Sequence, residues 1–355
     1  MTRAGLIKKI EYKRGSRVIC YITGDRQTFP PNQQIPGIST RIATEPQLIF
    51  YEHLKKIGKV SKIDLVLYTR GGDTNAVWPF VNLIREFCDE FSVLIPYRSH
   101  SAGTMIALGA GEIIMTHVGE LSPIDPTITG PLNPRIQPND PNSVVGVSVE
   151  DVVSYIKLAK ENGPRLKKEE SLTKVFEKLT DAVHPLALGN VNRVYSQIRQ
   201  LAEQLLKLHP KKGRKDKDIV DSFVEKLYSH QHAINRREAA KILGSDVVKN
   251  AETEAPELWQ LFEDISKELC LETPFNLKTE IGSEENKEIT LNGALIESTD
   301  LKHTFQSKLK ISQQSVIPQG MQLQVPPGQQ IPKVIPGLPV NINVDVSSIG
   351  WKMIK

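Results

Sequence analysis

Two short segments of this 355-residue chain carry groups that could perform acyl transfer. The first is Arg70-Gly71-Gly72, which ends the apolar run Leu65-Val66-Leu67-Tyr68. The second is Ser99-His100-Ser101-Ala102-Gly103-Thr104, which follows Val93-Leu94-Ile95 and leads into Met105-Ile106-Ala107-Leu108. A glycine pair after a strand offers backbone N–H groups to an incoming oxygen. A serine where a strand turns into a helix offers a hydroxyl at the end of the helix dipole that favours negative charge. A nucleophile beside such donors is what acyl transfer requires. These residues point to a serine hydrolase, and first to a peptidase, with Ser101 as nucleophile and Gly71, Gly72 and Ala102 as oxyanion-hole donors. A serine in that place also serves as an ordinary helix N-cap, and a Gly-Gly pair by itself is an ordinary tight turn. The occurrence of both devices together is what favours catalysis. Ser99 competes for the nucleophile role, but only Ser101 leads directly into the small-residue turn.

A serine nucleophile needs a neighbour to take its proton. His100 adjoins Ser101 in the chain and is expected to point away from it, and His117 ends a strand. Asp125, in Ser122-Pro123-Ile124-Asp125-Pro126, falls at the mouth of the following strand, near the expected site. His184 and the pair His230 and His232 lie farther along. Lys157 and Lys160 matter only for a Ser-Lys dyad, which needs a partly desolvated lysine. The leading assignment is Ser101 with Asp125 and His230, while His232, His184 and a lysine stay open as the base.

The elements that position these residues follow from hydrophobic periodicity. Strands are expected at 17–23, 63–68, 92–97 and 112–116, with helices at 45–57, 76–87 and 103–109 between them. Short apolar strands alternating with amphipathic helices imply βαβ units and a parallel sheet covered by helices. In such sheets ligands bind at the carboxyl ends of the strands, where Gly71-Gly72 and Ser101 both fall. Residues 121–142 are too rich in proline for a helix or a central strand. Helical patterns then run through 149–160, 170–183, 191–208, 219–228 and 236–243. One more helix is expected at 257–269, and 287–355 reads as strands and turns: a small β appendage, an arm added to a neighbouring subunit, or a partly disordered tail.

Composition narrows the function classes. The chain is 39% hydrophobic and 24% charged, with a net charge of +4. Much of that charge sits in the run Lys211 to Lys217, which reads as a solvated loop, and no basic-aromatic pattern or module indicates nucleic-acid binding. Cys20, Cys88 and Cys270 form no CxxC pair, so no disulfide framework, metal site or cofactor is expected. No apolar run reaches the ~18 residues of a membrane span. The first residues lack the apolar region of a signal peptide, so a cytoplasmic location is expected.

Three motifs occur in order: strand-Arg70-Gly71-Gly72-Asp73-Thr74, then His100-Ser101-Ala102-Gly103-Thr104-Met105, then Leu121-Ser122-Pro123-Ile124-Asp125-Pro126. Together they resemble the Clp protease/crotonase superfamily, and within it the serine dehydrogenase proteinase family, relatives of signal peptide peptidase A. The likeness covers about Leu65 to Pro126 and continues more weakly to about Val248, through Ile234-Asn235-Arg236-Arg237-Glu238-Ala239-Ala240. The resemblance implies an α/β fold, a Clp/crotonase-like ββα spiral, at 1–250; the helix plus β-rich extension read from the residues at 251–355 lies outside it. It also implies Ser101 as nucleophile and homo-oligomeric assembly, and together with the residues above it makes an endopeptidase that works without ATP on a peptide or protein substrate the leading expectation. One departure stands out: this chain has Asp125 where the Clp proteolytic subunit carries its histidine, and His230 and His232 where that subunit carries its aspartate. A crotonase-like acyl-thioester enzyme and a catalytically silent scaffold of the same fold are the alternatives.

Overall fold

The strands Arg17–Thr23 and Val60–Tyr68 each carry an apolar run, 18–22 and 65–68, and are buried along most of their length, as a parallel pair covered on both faces requires. They belong to a computed structural model that describes residues 2–31, 33–124, 127–137, 140, 143–209, 215–224, 232–318 and 332–354. The chain is α/β and forms two compact units. One comprises residues 1–70, 86–89 and 252–355, the other 71–85 and 90–251. Among the described residues no helix is long and apolar enough to cross a membrane.

In the first unit the strand order is Val60–Tyr68, Arg17–Thr23, Asn286–Ser298, Lys302–Ser315 and Val340–Met353. Arg17–Thr23 pairs in parallel with Val60–Tyr68 and antiparallel with Asn286–Ser298, so the sheet is mixed. The C-terminal segment is therefore integral to this sheet: two long antiparallel pairings extend it outward from its middle. At Gly293 the register slips by one residue, and only glycine fits there. A Cβ there would lie 2.3 Å from the Gly37 carbonyl oxygen and 2.7 Å from Thr40 Cγ2. The Gly293 carbonyl in turn accepts the Gly24 N–H at 2.7 Å and the Thr40 hydroxyl at 2.6 Å, which ties down both ends of the 25–39 loop.

An N-terminal helix, Arg3–Arg14, buries Leu6, Ile7 and Ile10. Thr2 caps its start by accepting the Gly5 N–H, and Gly15 ends it at φ 60°. The helix Gln47–Ile57 buries Phe50, His53 and Leu54, and Tyr21 meets the edge of Phe50 with ring centroids 5.2 Å apart. A second apolar cluster joins Ile35 and Ile38 to Phe275, Leu277, Leu291, Leu309 and Ile311.

A buried polar chain also runs through this unit. His53 Nδ1 lies 2.8 Å from Ser298 Oγ, His53 Nε2 lies 3.1 Å from His303 Nδ1, and His303 Nε2 lies 3.3 Å from Glu52 Oε2. Burial, and then the neighbouring His303, lower the His53 pKa to about 4, and burial lowers that of His303 as well. The unfolded chain binds a proton on His53 near pH 6.5 and the folded chain does not. Stability from this site is therefore complete above pH 6.5 and lost as pH falls toward 4. Between pH 7 and 4.5 the loss is expected to reach about 2 to 3 kcal/mol. Urea midpoints measured across that range should fall more steeply for wild type than for His53→Gln, and parallel slopes would refute the assignment.

In the second unit Glu112–Met115 pairs in parallel with Val248–Asn250 and with Cys88–Ile95 through Ser92 to Ile95. A smaller sheet is built from segments interleaved with them in the chain. Arg98–Ser99 runs parallel to Glu120–Leu121, which pairs antiparallel with Ile234–Asn235. The helix Ala102–Leu108 is buried at every residue, so its small residues, Ala102-Gly103-Thr104, are also what lets it sit inside the unit. Pro185–Lys207 packs an amphipathic face, with Leu188, Val191, Ile198, Leu201 and Leu205 buried, whereas Glu169–Ala182 buries none of its side chains. Residues 210–214 of the expected charged loop lie outside the described residues.

Candidate active site

Ser101 follows the short strand Arg98–Ser99 and precedes the helix Ala102–Leu108, in the second unit. Its backbone sits at φ 50° and ψ −110°, a conformation that costs an L-residue ~1–3 kcal/mol and persists only where its surroundings over-determine it. Here they do. The Ser101 N–H donates to Ser122 Oγ at 2.8 Å, and that hydroxyl donates to the Pro123 carbonyl at 2.9 Å. Thr104 Oγ1 lies 2.9 Å from the Ser99 carbonyl and 3.0 Å from the Ser122 carbonyl, and it accepts the Ser122 N–H at 3.1 Å. The Gly103 N–H closes the turn on the His100 carbonyl at 2.8 Å. Ser122 and Thr104 are thus the residues that hold Ser101 in its strained pose. Both stand inside the motifs of the sequence, but their role depends on a pairing between segments some twenty residues apart.

The Ser101 side chain does not cap the helix it precedes. Ser148 shows the contrast: its Oγ accepts the N–H groups of Glu150 and Asp151 at an ordinary N-cap. Ser101 is half-buried, whereas Ser99 is fully buried, so of the two only Ser101 presents a reachable hydroxyl.

Gly71 is what brings the other device to this serine. It sits at φ 102°, and a Cβ there would lie 2.7 Å from Ser101 Cβ and 3.3 Å from Ser101 Oγ. Gly72 follows at φ 151°. Asp73 then caps the next turn by accepting the Asn75 N–H at 2.9 Å, and the helix Val77–Arg85 begins. No side chain fits at 71 without moving Ser101. Gly71→Ala is therefore expected to cut any reaction that depends on Ser101 at least about a hundredfold, since displacements of ~1 Å at a reacting group cost that much. Steady-state kinetics beside a thermal melt test this: a folded variant at full activity would contradict the geometry.

Asp125 and His230 lie outside the described residues. Of the other bases considered, His100 Nε2 is 3.1 Å from Glu120 Oε1, a carboxylate that also accepts from Arg98 at 3.0 Å. His232 Nε2 is 2.9 Å and 3.0 Å from the two Glu238 oxygens. His184 caps Pro185–Lys207 by accepting the Leu186 N–H on Nδ1. His117 is exposed, Lys157 closes the helix Val149–Lys157, and Lys160 sits exposed just beyond it. Among the described residues no carboxylate, imidazole or amine hydrogen-bonds to Ser101 Oγ. Nor does any group of His, Cys, Asp and Glu among them form a metal site.

Similarity to known proteins bears on the same segment. An uncharacterized protein of Methanocaldococcus jannaschii, MJ1495, is 34% identical over 128 residues, which is 36% of this chain and 43% of that protein. A second from the same organism, MJ0137, is 26% identical over 263 residues, 74% of this chain and 79% of its own. Among solved structures, a serine-to-alanine variant of the 1510-N membrane-bound stomatin-specific protease shares 14% identity at a TM-score of 0.37, covering 62% of this chain and 79% of that one. Over residues 1–137, which carry Gly71, Gly72, Ser101 and Ala102, the chain matches the family of ClpP-like SDH-type serine proteinases.

Proposed function

We propose that the protein is a serine endopeptidase acting through a covalent acyl-enzyme. The observation that carries this reading is the approach of Gly71 to an uncapped, strained and half-buried Ser101. Ser101 Oγ attacks the scissile carbonyl carbon while the base takes its proton and later passes it to the leaving amine. The oxyanion is held by backbone donors of the Gly71–Gly72 turn and by Ala102. Ala102 belongs to the first turn of its helix, where N–H groups have no intrahelical acceptor, and each such donor is worth ~3 kcal/mol in the transition state. The Ser101 N–H is already engaged by Ser122 and takes no part. Water then hydrolyses the ester and frees Ser101.

Asp125 and His230 complete the proposed machinery. Support comes from their described neighbours. The Ile124 N–H donates to the Phe223 carbonyl at 2.9 Å, and Ile234 pairs with Leu121, one residue before the Ser122 that holds Ser101. The segments flanking both residues therefore converge on the strand beside the serine.

A fluorophosphonate probe followed by peptide mapping tests the proposal. Labelling is expected at Ser101, and more slowly in Asp125→Asn and His230→Ala. An unlabelled Ser101 in a protein that turns over acyl-CoA would replace this reading with the thioester one.

A further inference from the structure

The first unit holds an open cavity of about 790 Å³ walled largely by the 25–41 loop, and its charge is lopsided. Arg26, Arg41 and Arg70 line it against a single carboxylate, Asp25, with Gln33 and Gln34 beside them. Asp25 is already committed: one oxygen accepts the Tyr68 hydroxyl at 2.8 Å, and the other lies 3.9 Å from Arg70 Nη1. Arg26 is fixed by donating Nε to the Thr273 carbonyl at 2.7 Å and by stacking over Phe275, 5.2 Å from its ring centroid. Arg41 makes no ion pair among the described residues, and the Arg70 side chain is 45% exposed.

The cavity is also preorganised. Asp25 bridges to Ser39 across the loop's base, the Thr40 N–H donates to the Gly24 carbonyl at 2.8 Å, and Gly293 anchors both strands of that base. Ile35 and Ile38 turn inward to the apolar cluster. A held loop with surplus guanidinium groups and amide donors suits a planar anion, because guanidinium pairs with carboxylate through two parallel hydrogen bonds. Like-signed charge gathered in one concavity also raises the local concentration of the opposite sign.

We propose that this cavity binds a peptide carboxylate, a free C-terminus or an acidic side chain, with Arg41 and Arg70 as the residues that recognise it. The identity of the ligand rests on the peptidase reading; the anion preference does not.

Binding is measured with the full chain carrying Ser101→Ala, so that no peptide is consumed, by fluorescence anisotropy of a labelled ten-residue peptide. Three forms are compared: free C-terminus, C-terminal amide, and amide with one internal glutamate. The carboxylate forms are expected to bind at least about tenfold tighter than the neutral amide, and which of them binds tighter identifies the carboxylate's source. Arg41→Gln and Arg70→Gln should each erase most of that preference, while Arg41→Lys keeps part of it. Equal affinity for all three forms, or a preference untouched by both glutamine variants, overturns the proposal. So does inorganic phosphate that displaces a labelled ligand which shows no carboxylate preference. Fluorophosphonate labelling of wild type, run in parallel, separates the two readings. Labelling without carboxylate preference sinks the cavity proposal alone, and carboxylate preference without labelling sinks the peptidase reading alone.

Discussion

Ser101→Ala is expected to lower kcat/KM for peptide cleavage at least about a thousandfold, because removing a nucleophile leaves only binding and the oxyanion donors to act. The same variant is expected to change stability by less than about 0.5 kcal/mol, since the Ser101 hydroxyl caps nothing. Ser101→Gly should be equally inactive and yet more stable than wild type by about 1 kcal/mol, because glycine adopts a positive φ without steric cost. This pattern separates a nucleophile from a structural serine. A helix N-cap would give the reverse, a stability loss of ~1 kcal/mol on substitution by alanine with little effect on turnover. Urea unfolding and steady-state kinetics on the three proteins decide the matter. Full activity in Ser101→Ala would remove the catalytic reading altogether.

The second large effect concerns the C-terminal strands. Deleting residues 286–355 is expected to leave an insoluble protein. Leu291, Leu295, Ile296, Leu309 and Ile311 are all buried, and losing five such side chains forfeits on the order of 10 kcal/mol, comparable with the whole stability of an ordinary domain. Arg17–Thr23 would also lose one of its two neighbours and expose an apolar edge. Deleting only residues 332–355 leaves that strand paired on both sides, and this shorter variant is expected to stay soluble with a lower urea midpoint. Recovery in the soluble fraction distinguishes the two deletions; a soluble, cooperatively folding 1–285 fragment would contradict the structural argument.

What was legible in the residues follows a physical division. Runs such as 17–23 and 63–68 announce themselves because buried parallel strands show a near-continuous apolar stretch, whereas the partly exposed start of the second strand, Val60 to Lys62, does not. The placement of Gly71-Gly72 and Ser101 at strand ends was legible for the same reason, and the structure brings the two turns into contact. The helix Arg3–Arg14 was missed although Thr2 and Gly15 stand at its caps: three buried residues among many charges make a weak stripe. Residues 287–355 read as strands and turns whose place stayed open, as an appendage, an arm or a partly disordered tail, because alternation marks a strand but not its partner. Only the pairing of Ala294 to Ser298 with residues 19–23 shows that they belong to the sheet. Likewise Ser122 and Thr104 look like ordinary loop and helix residues until the strands Arg98–Ser99 and Glu120–Leu121 are laid side by side. Local periodicity reveals elements; which element holds which is a long-range property.

The pairing of Ile19 with Ser298 also sets a schedule for synthesis. At the usual ~5–20 residues per second a ribosome delivers the second residue roughly 15 to 55 s after the first. Residues 71–85 and 90–251, which make up the serine-bearing unit, all emerge within that interval. The serine-bearing unit can thus close while the strand Arg17–Thr23 still waits for its partner. Until Ser298 is made, Arg17–Thr23 keeps one apolar edge without its antiparallel neighbour, and such an edge is a template for wrong pairing.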